Sequence, residues 1–240
     1  MGEGVRAMGQ GPAGPGGPGG GAVIEVNRIL APVTVLGWGR RVGLWVQGCR
    51  LACPGCASVD TWQRGAGRDW AADRLAEVLA QTALQGDLDG LTLTGGEPLD
   101  QAEALAQVVR QVTAAVRQAR AGDSHPKPFD VLVFTGYPAA AGRRRAGPLW
   151  GLVDAAVAGP YRQAQPSAEP LVASANQELL ALTALGRARY PLSDQTPRMQ
   201  AVAADGDLVM VGLPRPGDLD RIEAGLRRRG VFLGEVSWRR

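Results

Sequence analysis

The chain has 240 residues, 45% hydrophobic and 20% charged, with a formal net charge of +3. That is enough apolar material for one substantial core with an appendage, and no apolar run reaches the length of a bilayer-spanning helix. The arginine runs at Arg143-Arg144-Arg145, Arg227-Arg228-Arg229 and Arg239-Arg240 are not interleaved with aromatic residues. They read as solvated faces, and neither a nucleic-acid nor a membrane partner is expected.

Residues 1–22 are dominated by glycine and proline. Such a segment buries too little apolar surface to offset its ordering entropy, so a disordered tail is expected, with order beginning near Val23. It lacks the basic-then-apolar order of a secretory signal, and three closely spaced cysteines make a poor disulfide framework. Both point to a reducing cytoplasm.

From Val23 onward, short apolar runs alternate with amphipathic segments. The pattern predicts a strand at Val42 to Val46 and a helix from Trp70 to Leu84 capped by Asp69. A strand at Leu91 to Leu93 follows, then a helix over Ala102 to Ala119 with Leu105, Val108, Val109, Val112 and Val116 on one side. Next come a strand at Val131 to Phe134, a short helix near Leu149 to Val153, and strands at Ala155 to Val157 and Leu171 to Ala173. Strands alternating with helices imply parallel βα units, whose ligands bind at the carboxyl ends of the strands. Cys49 and Gly95-Gly96 fall there. After Gln177 the pattern changes. A helix is predicted at Glu178 to Leu185, and a hairpin of Met199 to Val202 with Leu208 to Val211 turning at Asp205-Gly206. A helix at Asp218 to Arg229 and a final strand at Val231 to Val236 complete the chain. The fold class is α/β, with a main domain over 23–177 and a small α+β appendage over 178–240.

All three cysteines lie within Cys49-Arg50-Leu51-Ala52-Cys53-Pro54-Gly55-Cys56. Pro54 and Gly55 favour a turn that lets the thiolates converge. A [4Fe–4S] cluster usually takes four cysteine ligands, so three would leave one iron open for chemistry. Structural zinc is the alternative, but it prefers four Cys or His ligands, and the only histidine, His125, is distant in sequence. Three unconnected buried thiols are the other alternative.

Two further motifs stand beside the cysteines. In Thr94-Gly95-Gly96-Glu97-Pro98-Leu99, the glycines let backbone approach a ligand and Glu97 offers an acceptor for an ammonium group. Alone, this could equally be a strand-to-helix turn with Pro98 opening the helix. Asp60-Thr61-Trp62 follows the cysteines, where the tryptophan could simply be core.

Together these residues resemble the radical S-adenosylmethionine (SAM) superfamily, whose signature is Cys-x3-Cys-x2-Cys. Within it, CPGCxxxxTW resembles the activating enzymes of glycyl-radical proteins, most closely those of anaerobic ribonucleotide reductase. The motifs Phe134-Thr135-Gly136-Tyr137, Ala158-Gly159-Pro160-Tyr161 and Ser174-Ala175-Asn176-Gln177 extend the resemblance from about Val33 to Gln177. It implies a partial (β/α) barrel and a [4Fe–4S] cluster held by the catalytic, metal-ligating Cys49, Cys53 and Cys56. SAM would be contacted by Gly55, Cys56, Ala57, Gly95, Gly96 and Glu97. Reductive cleavage would give a 5′-deoxyadenosyl radical that installs a glycyl radical on a partner enzyme, with flavodoxin or ferredoxin as the low-potential electron donor. The chain departs from the family pattern at Ala57-Ser58, Ala158 and Ala173, close to where a substrate would dock. Competing functions are a radical SAM enzyme acting directly on a peptide or small molecule, and a non-catalytic metal-binding module.

Overall fold

The computed structural model describes residues 6–7, 21–190, 198–204 and 207–234. Strand β1 (Arg6–Ala7) pairs antiparallel with β2 (Val23–Val33), at Ala31 and Leu30. The rest of the expected tail, 1–5 and 8–20, lies outside the described residues. Strand β3 (Arg41–Val46) is buried at all six positions, as expected of a strand covered on both faces. β4 (Arg68–Ala71), α1 (Ala72–Gln85), β5 (Gly90–Gly95), α2 (Ala102–Ala119), β6 (Asp130–Thr135), α3 (Ala139–Ala146) and β7 (Ala155–Ala158) follow in order. Then come β8 (Glu178–Ala181), α4 (Ala184–Arg189), β9 (Met199–Ala204), β10 (Asp207–Gly212) and α5 (Asp218–Arg228).

The large sheet runs β1-β2-β3-β5-β6-β7-β8, with β4 also on β2. The pairs β3–β5, β5–β6 and β6–β7 are parallel, while β2 and β8 join antiparallel. The expected α/β class with parallel βα units is what is found. The apolar stripes of α1 and α2 cover one face: Leu75, Leu79, Leu105, Val108, Val109, Val112 and Val116 pack with Leu44, Leu91, Leu93 and Val131. On the other face, Val202 and Val211 of the β9–β10 hairpin pack on Leu30, Val33, Val35, Leu36 and Trp45. Among the described residues, no helix is long and apolar enough to cross a membrane.

Four local expectations are corrected. Asp69 does not cap α1. It sits in β4 opposite Glu25, the cap position is Ala71, and the Ala72 N–H donates to the Ala22 carbonyl at 2.9 Å. Leu171 to Ala173 is no strand. Leu171 has a positive φ of 61°, and the run is apolar because Leu171 plugs against Leu132, Ala155 and Val157. Glu178 to Leu185 is not one helix. Its first half is β8, and the chain breaks at Leu182-Thr183, whose N–H groups both donate to the Asp154 carbonyl. The Thr183 hydroxyl then accepts from the Gly186 N–H at 3.1 Å and caps α4. Val231 to Gly234 form no strand, and Glu235-Val236 lie outside the described residues, as do Asp205-Gly206 at the hairpin turn. The short helix expected near Leu149 is a 3-10 helix, Gly147–Leu152, preceded by α3, which the alanine-arginine composition concealed.

At the amino ends of the parallel strands sits a buried ionic knot. Arg41 and Asp130 are both fully buried and joined by bonds of 2.9 and 3.0 Å. Arg41 also donates to Thr92 Oγ1 at 2.7 Å and to the Leu91 carbonyl at 2.8 Å. Arg189 donates to Asp130 Oδ1, and the Tyr190 hydroxyl donates to Oδ2 at 2.6 Å. Burial alone would push the Asp130 carboxyl up, but the Arg41 charge and the hydrogen bonds outweigh it and hold the group below the usual carboxylate range. Through β8, Arg189 and Tyr190, the first part of the expected appendage is integral to the large sheet.

Candidate active site

At the opposite, carboxyl ends of the strands, Cys49, Cys53 and Cys56 are free thiols, each half-buried, lining one cavity of about 810 Å³. The loop that carries them is tied down by its neighbours. The Gly48 N–H donates to the Thr61 carbonyl at 2.8 Å, and the Cys49 N–H to the Trp62 carbonyl at 3.0 Å. Gln47 Nε2 spans the Asp60 and Gln63 carbonyls at 3.1 and 2.7 Å. The buried Thr61 hydroxyl donates to the Ser58 carbonyl at 2.7 Å. The Asp60-Thr61-Trp62 motif thus shapes the loop from below. Gly55 turns it with φ +76°, and a Cβ there would meet the Gln163 side chain at 2.6 Å.

The sulfurs attract N–H donors. Burial pushes the Cys49 thiol up, partly offset by the backbone N–H groups of Ala52 and Leu51. Burial does the same at Cys56, offset by the Ser58 N–H, 3.4 Å from Sγ, and by the Trp62 side chain. Donors aimed at sulfur favour thiolate, the form a metal centre needs, and hydrogen bonds to cluster sulfurs tune such centres. Among the described residues, no three His, Cys, Asp or Glu side chains converge on a single ion. A cubane has a separate iron for each cysteine, so three thiols bordering one cavity suit it. His125 is exposed in the loop after α2.

The glycine pair lies where β5 ends against the cysteine loop. A Cβ on Gly95 would come within 2.7 Å of the Trp45 Cα, and one on Gly96 would collide with the Gly48 carbonyl. Both glycines are therefore demanded by this close approach, and both also line the cavity. Glu97 is only 1% exposed. Its Oε1 accepts from the Leu99 N–H at 2.9 Å and from Thr135 Oγ1 at 2.8 Å, and its Oε2 accepts from the Gly136 N–H at 2.8 Å. It caps the 3-10 helix Pro98–Gln101 and joins β5 to the end of β6. The structure thus brings Gly55, Cys56, Ala57, Gly95, Gly96 and Glu97 to one cavity, but gives Glu97 three protein donors already.

Burial pushes the Glu97 carboxyl up to about 7, with the three donors offsetting only part of it. A carboxyl raised in the native state binds a proton that the unfolded chain has released. Its contribution to stability is present below about pH 4.5 and is lost as pH rises through about 7, a change of roughly 3 kcal/mol. Thermal unfolding of the SAM-free protein between pH 4.5 and 8 should show this loss. Glu97→Gln should flatten it while lowering stability by about 1–3 kcal/mol, because an amide nitrogen must then face one of the backbone N–H donors. An unchanged pH profile in the variant would remove Glu97 from this role.

The other motif residues lock the neighbouring loops. Gln177 Oε1 accepts from the Ala173 N–H at 3.0 Å, while its Nε2 donates to the Gly159 carbonyl at 3.0 Å. Asn176 Nδ2 donates to the Pro160 carbonyl at 2.8 Å.

Two features of the site were not legible in the sequence. Arg28 of β2 enters the cavity wall, stacked 5.3 Å over the Trp45 ring and bonded to Asp60 Oδ2 at 2.5 Å. Among the described residues, its Nε and Asp60 Oδ1 are buried without a hydrogen-bond partner. Arg28 and Glu97 are the charged side chains among the described residues lining the cavity. The second feature is an apolar wall from the C-terminal segment, in which Met199, Leu208, Val211, Ile222, Leu226 and Phe232 face the cysteines' cavity. The apolar alternation of β9 and β10 was a signal for a hairpin, but not for what it would cover.

Residues 35–180, well over half the chain, match the family described as "4Fe-4S single cluster domain". The anaerobic ribonucleoside-triphosphate reductase-activating protein of Enterobacteria phage T4 is 32% identical over 116 residues, 48% of this chain and 67% of its own. The protein of that name from Escherichia coli K12 is 33% identical over 110 residues, 44% of this chain and 65% of its own. The pyruvate formate-lyase-activating enzyme of Clostridium pasteurianum is 34% identical over 88 residues, 36% of this chain and 37% of its own. The matched stretches thus span about two thirds of the first two relatives and just over a third of the last. The chain belongs to the 4Fe-4S single cluster domain family, as a radical SAM enzyme whose cofactors are a [4Fe–4S] cluster and SAM.

Proposed function

We propose that this enzyme is an activase, cleaving SAM reductively to a 5′-deoxyadenosyl radical that takes a hydrogen atom from a glycine of a partner glycyl-radical enzyme. The observation that carries the reading is the shared cavity, in which three free thiols, the glycine pair and Glu97 meet at the carboxyl ends of parallel strands. When bound and reduced, the cluster supplies the electron that breaks the carbon–sulfur bond of SAM. Cys49, Cys53 and Cys56 hold it, and the N–H groups of Leu51, Ala52 and Ser58 with the Trp62 side chain stabilise the thiolates. Gly55, Ala57, Gly95 and Gly96 present backbone to SAM, while Glu97 fixes Thr135-Gly136 beside it and keeps one lone pair for an ammonium group. Arg28 and the apolar wall of β9, β10 and α5 bound the remaining volume and keep mobile side chains and solvent out of the space where a radical would meet its substrate.

A cavity of about 810 Å³ lies within the range of small-molecule sites. In this reading the open large sheet is a partial (β/α) barrel, and the division of the chain falls after Tyr190. The protein works in a reducing cytoplasm with a flavodoxin or ferredoxin as donor.

The test is electron paramagnetic resonance of the reconstituted enzyme, with SAM and a reductant, before and after addition of an anaerobic ribonucleotide reductase from the same organism. A glycine-centred doublet should appear only with the partner, and SAM cleavage without it should be slow. Stimulation of cleavage by a peptide or small metabolite, with no protein radical, would replace the activase reading by direct action on that substrate.

A further inference from the structure

One rung of the large sheet connects Arg28 to the glycine pair. Arg28 of β2 pairs in register with Trp45 of β3, and Trp45 with Thr94 of β5. Side chains paired in this way share a face of the sheet, and all three line the cavity. Two strand spacings, about 10 Å, therefore separate the Arg28 backbone from that of Thr94, the residue before Gly95-Gly96.

The guanidinium is braced from one side. Arg28 Nη1 donates to Asn27 Oδ1 at 2.8 Å and to Asp60 Oδ2 at 2.5 Å, which uses both of its protons. Asn27 Nδ2 in turn donates to Gln47 Oε1 at 2.6 Å, and Gln47 holds the Asp60 and Gln63 carbonyls. The group is thus fixed by the same residues that shape the loop behind the cysteines. Nε is buried, whereas Nη2 makes no hydrogen bond among the described residues and is the donor left open. The side chain keeps 26% of its surface exposed.

Charge decides what that donor suits. Asp60 already balances the guanidinium, so a second carboxylate would bring an uncompensated charge beside the apolar wall of Met199 and Leu208. A neutral carbonyl oxygen takes a charge-assisted bond without that penalty. Glu97, the other charged side chain among the described residues lining the cavity, is already held by three protein donors.

We propose that Arg28 positions the substrate, its Nη2 donating to the main-chain carbonyl of the target glycine. This rests on the activase reading. A backbone amide is then what Arg28 recognises, and the bond holds the glycine C–H in a fixed orientation while SAM lies at the glycine pair.

The experiment measures binding of a synthetic peptide spanning the radical-site glycine of an anaerobic ribonucleotide reductase to the cluster-loaded, SAM-bound enzyme by calorimetry. Lysine supplies one ammonium for Asp60 and Asn27 but nothing in place of Nη2. Arg28→Lys should therefore fold and hold iron, yet bind the peptide about tenfold to a hundredfold more weakly, with SAM affinity unchanged. A second peptide, with a thioamide at the glycine carbonyl, presents a weaker acceptor. Wild type should bind it less well than the first, and Arg28→Lys should not distinguish the two. Peptide affinity equal in wild type and Arg28→Lys would overturn the proposal and leave Arg28 as a structural partner of Asp60. Equal affinity of wild type for the two peptides would also overturn it, as would a loss of SAM affinity in place of peptide affinity. Wild type that binds SAM but no peptide would instead overturn the activase reading beneath it.

Discussion

Asp130→Ala is expected to lower stability by about 3–5 kcal/mol, because it leaves the fully buried Arg41 without its counter-charge. Arg189 and Tyr190 would lose their partner at the same time, so α4 and the end of β8 should loosen together. Against the 5–15 kcal/mol typical of a domain, that is a large share of the total. Asp130→Asn should cost less, since it keeps a hydrogen-bonding group between Arg41 and Tyr190. Denaturant unfolding of both variants checks the order. The knot lies at the amino ends of the strands and the cysteines at the carboxyl ends. The fraction of Asp130→Asn that folds should therefore still take up iron. A variant as stable as wild type would mean the knot is not what joins residues 178–190 to the sheet.

Cys53→Ala is expected to show the reverse profile, with loss of function and little loss of stability. Cys53 is half-buried in a surface loop whose shape is set by Thr61, Trp62 and Gln47, so the melting temperature should stay within a few degrees of wild type. Cluster content and 5′-deoxyadenosine formation should fall together to background, because two thiolates do not retain the cubane. Cys49→Ala and Cys56→Ala should behave alike.

The parts that could be read from sequence are those in which one segment carries its own signal. The stripe of α2 from Leu105 to Val116 fixes its period unaided, and its bounds, Ala102–Ala119, coincide with those expected. The cysteine spacing and the glycine pair are likewise local. The failures came where a distant residue decides. The apolar run Leu179-Leu180-Ala181-Leu182 has helical composition, but pairing with β7 and the Asp154 carbonyl makes its first part a strand. Asp69 looks like a cap, yet pairing with β2 claims it first. At the site, the sequence singles out Glu97 as a candidate, whereas its capture by Leu99, Thr135 and Gly136 depends on how β5 and β6 lie together. Arg28 and the apolar wall had no signal, because an arginine in a strand and an apolar hairpin gain meaning only from what they face.

The most direct test of the central claim is anaerobic reconstitution with iron and sulfide, followed by dithionite and SAM, with iron and 5′-deoxyadenosine quantified in parallel for wild type and Cys53→Ala. Wild type should bind about four irons per chain and release 5′-deoxyadenosine, and Cys53→Ala should do neither. Wild type that takes up zinc in place of iron, or a variant that cleaves SAM as wild type does, would contradict the account.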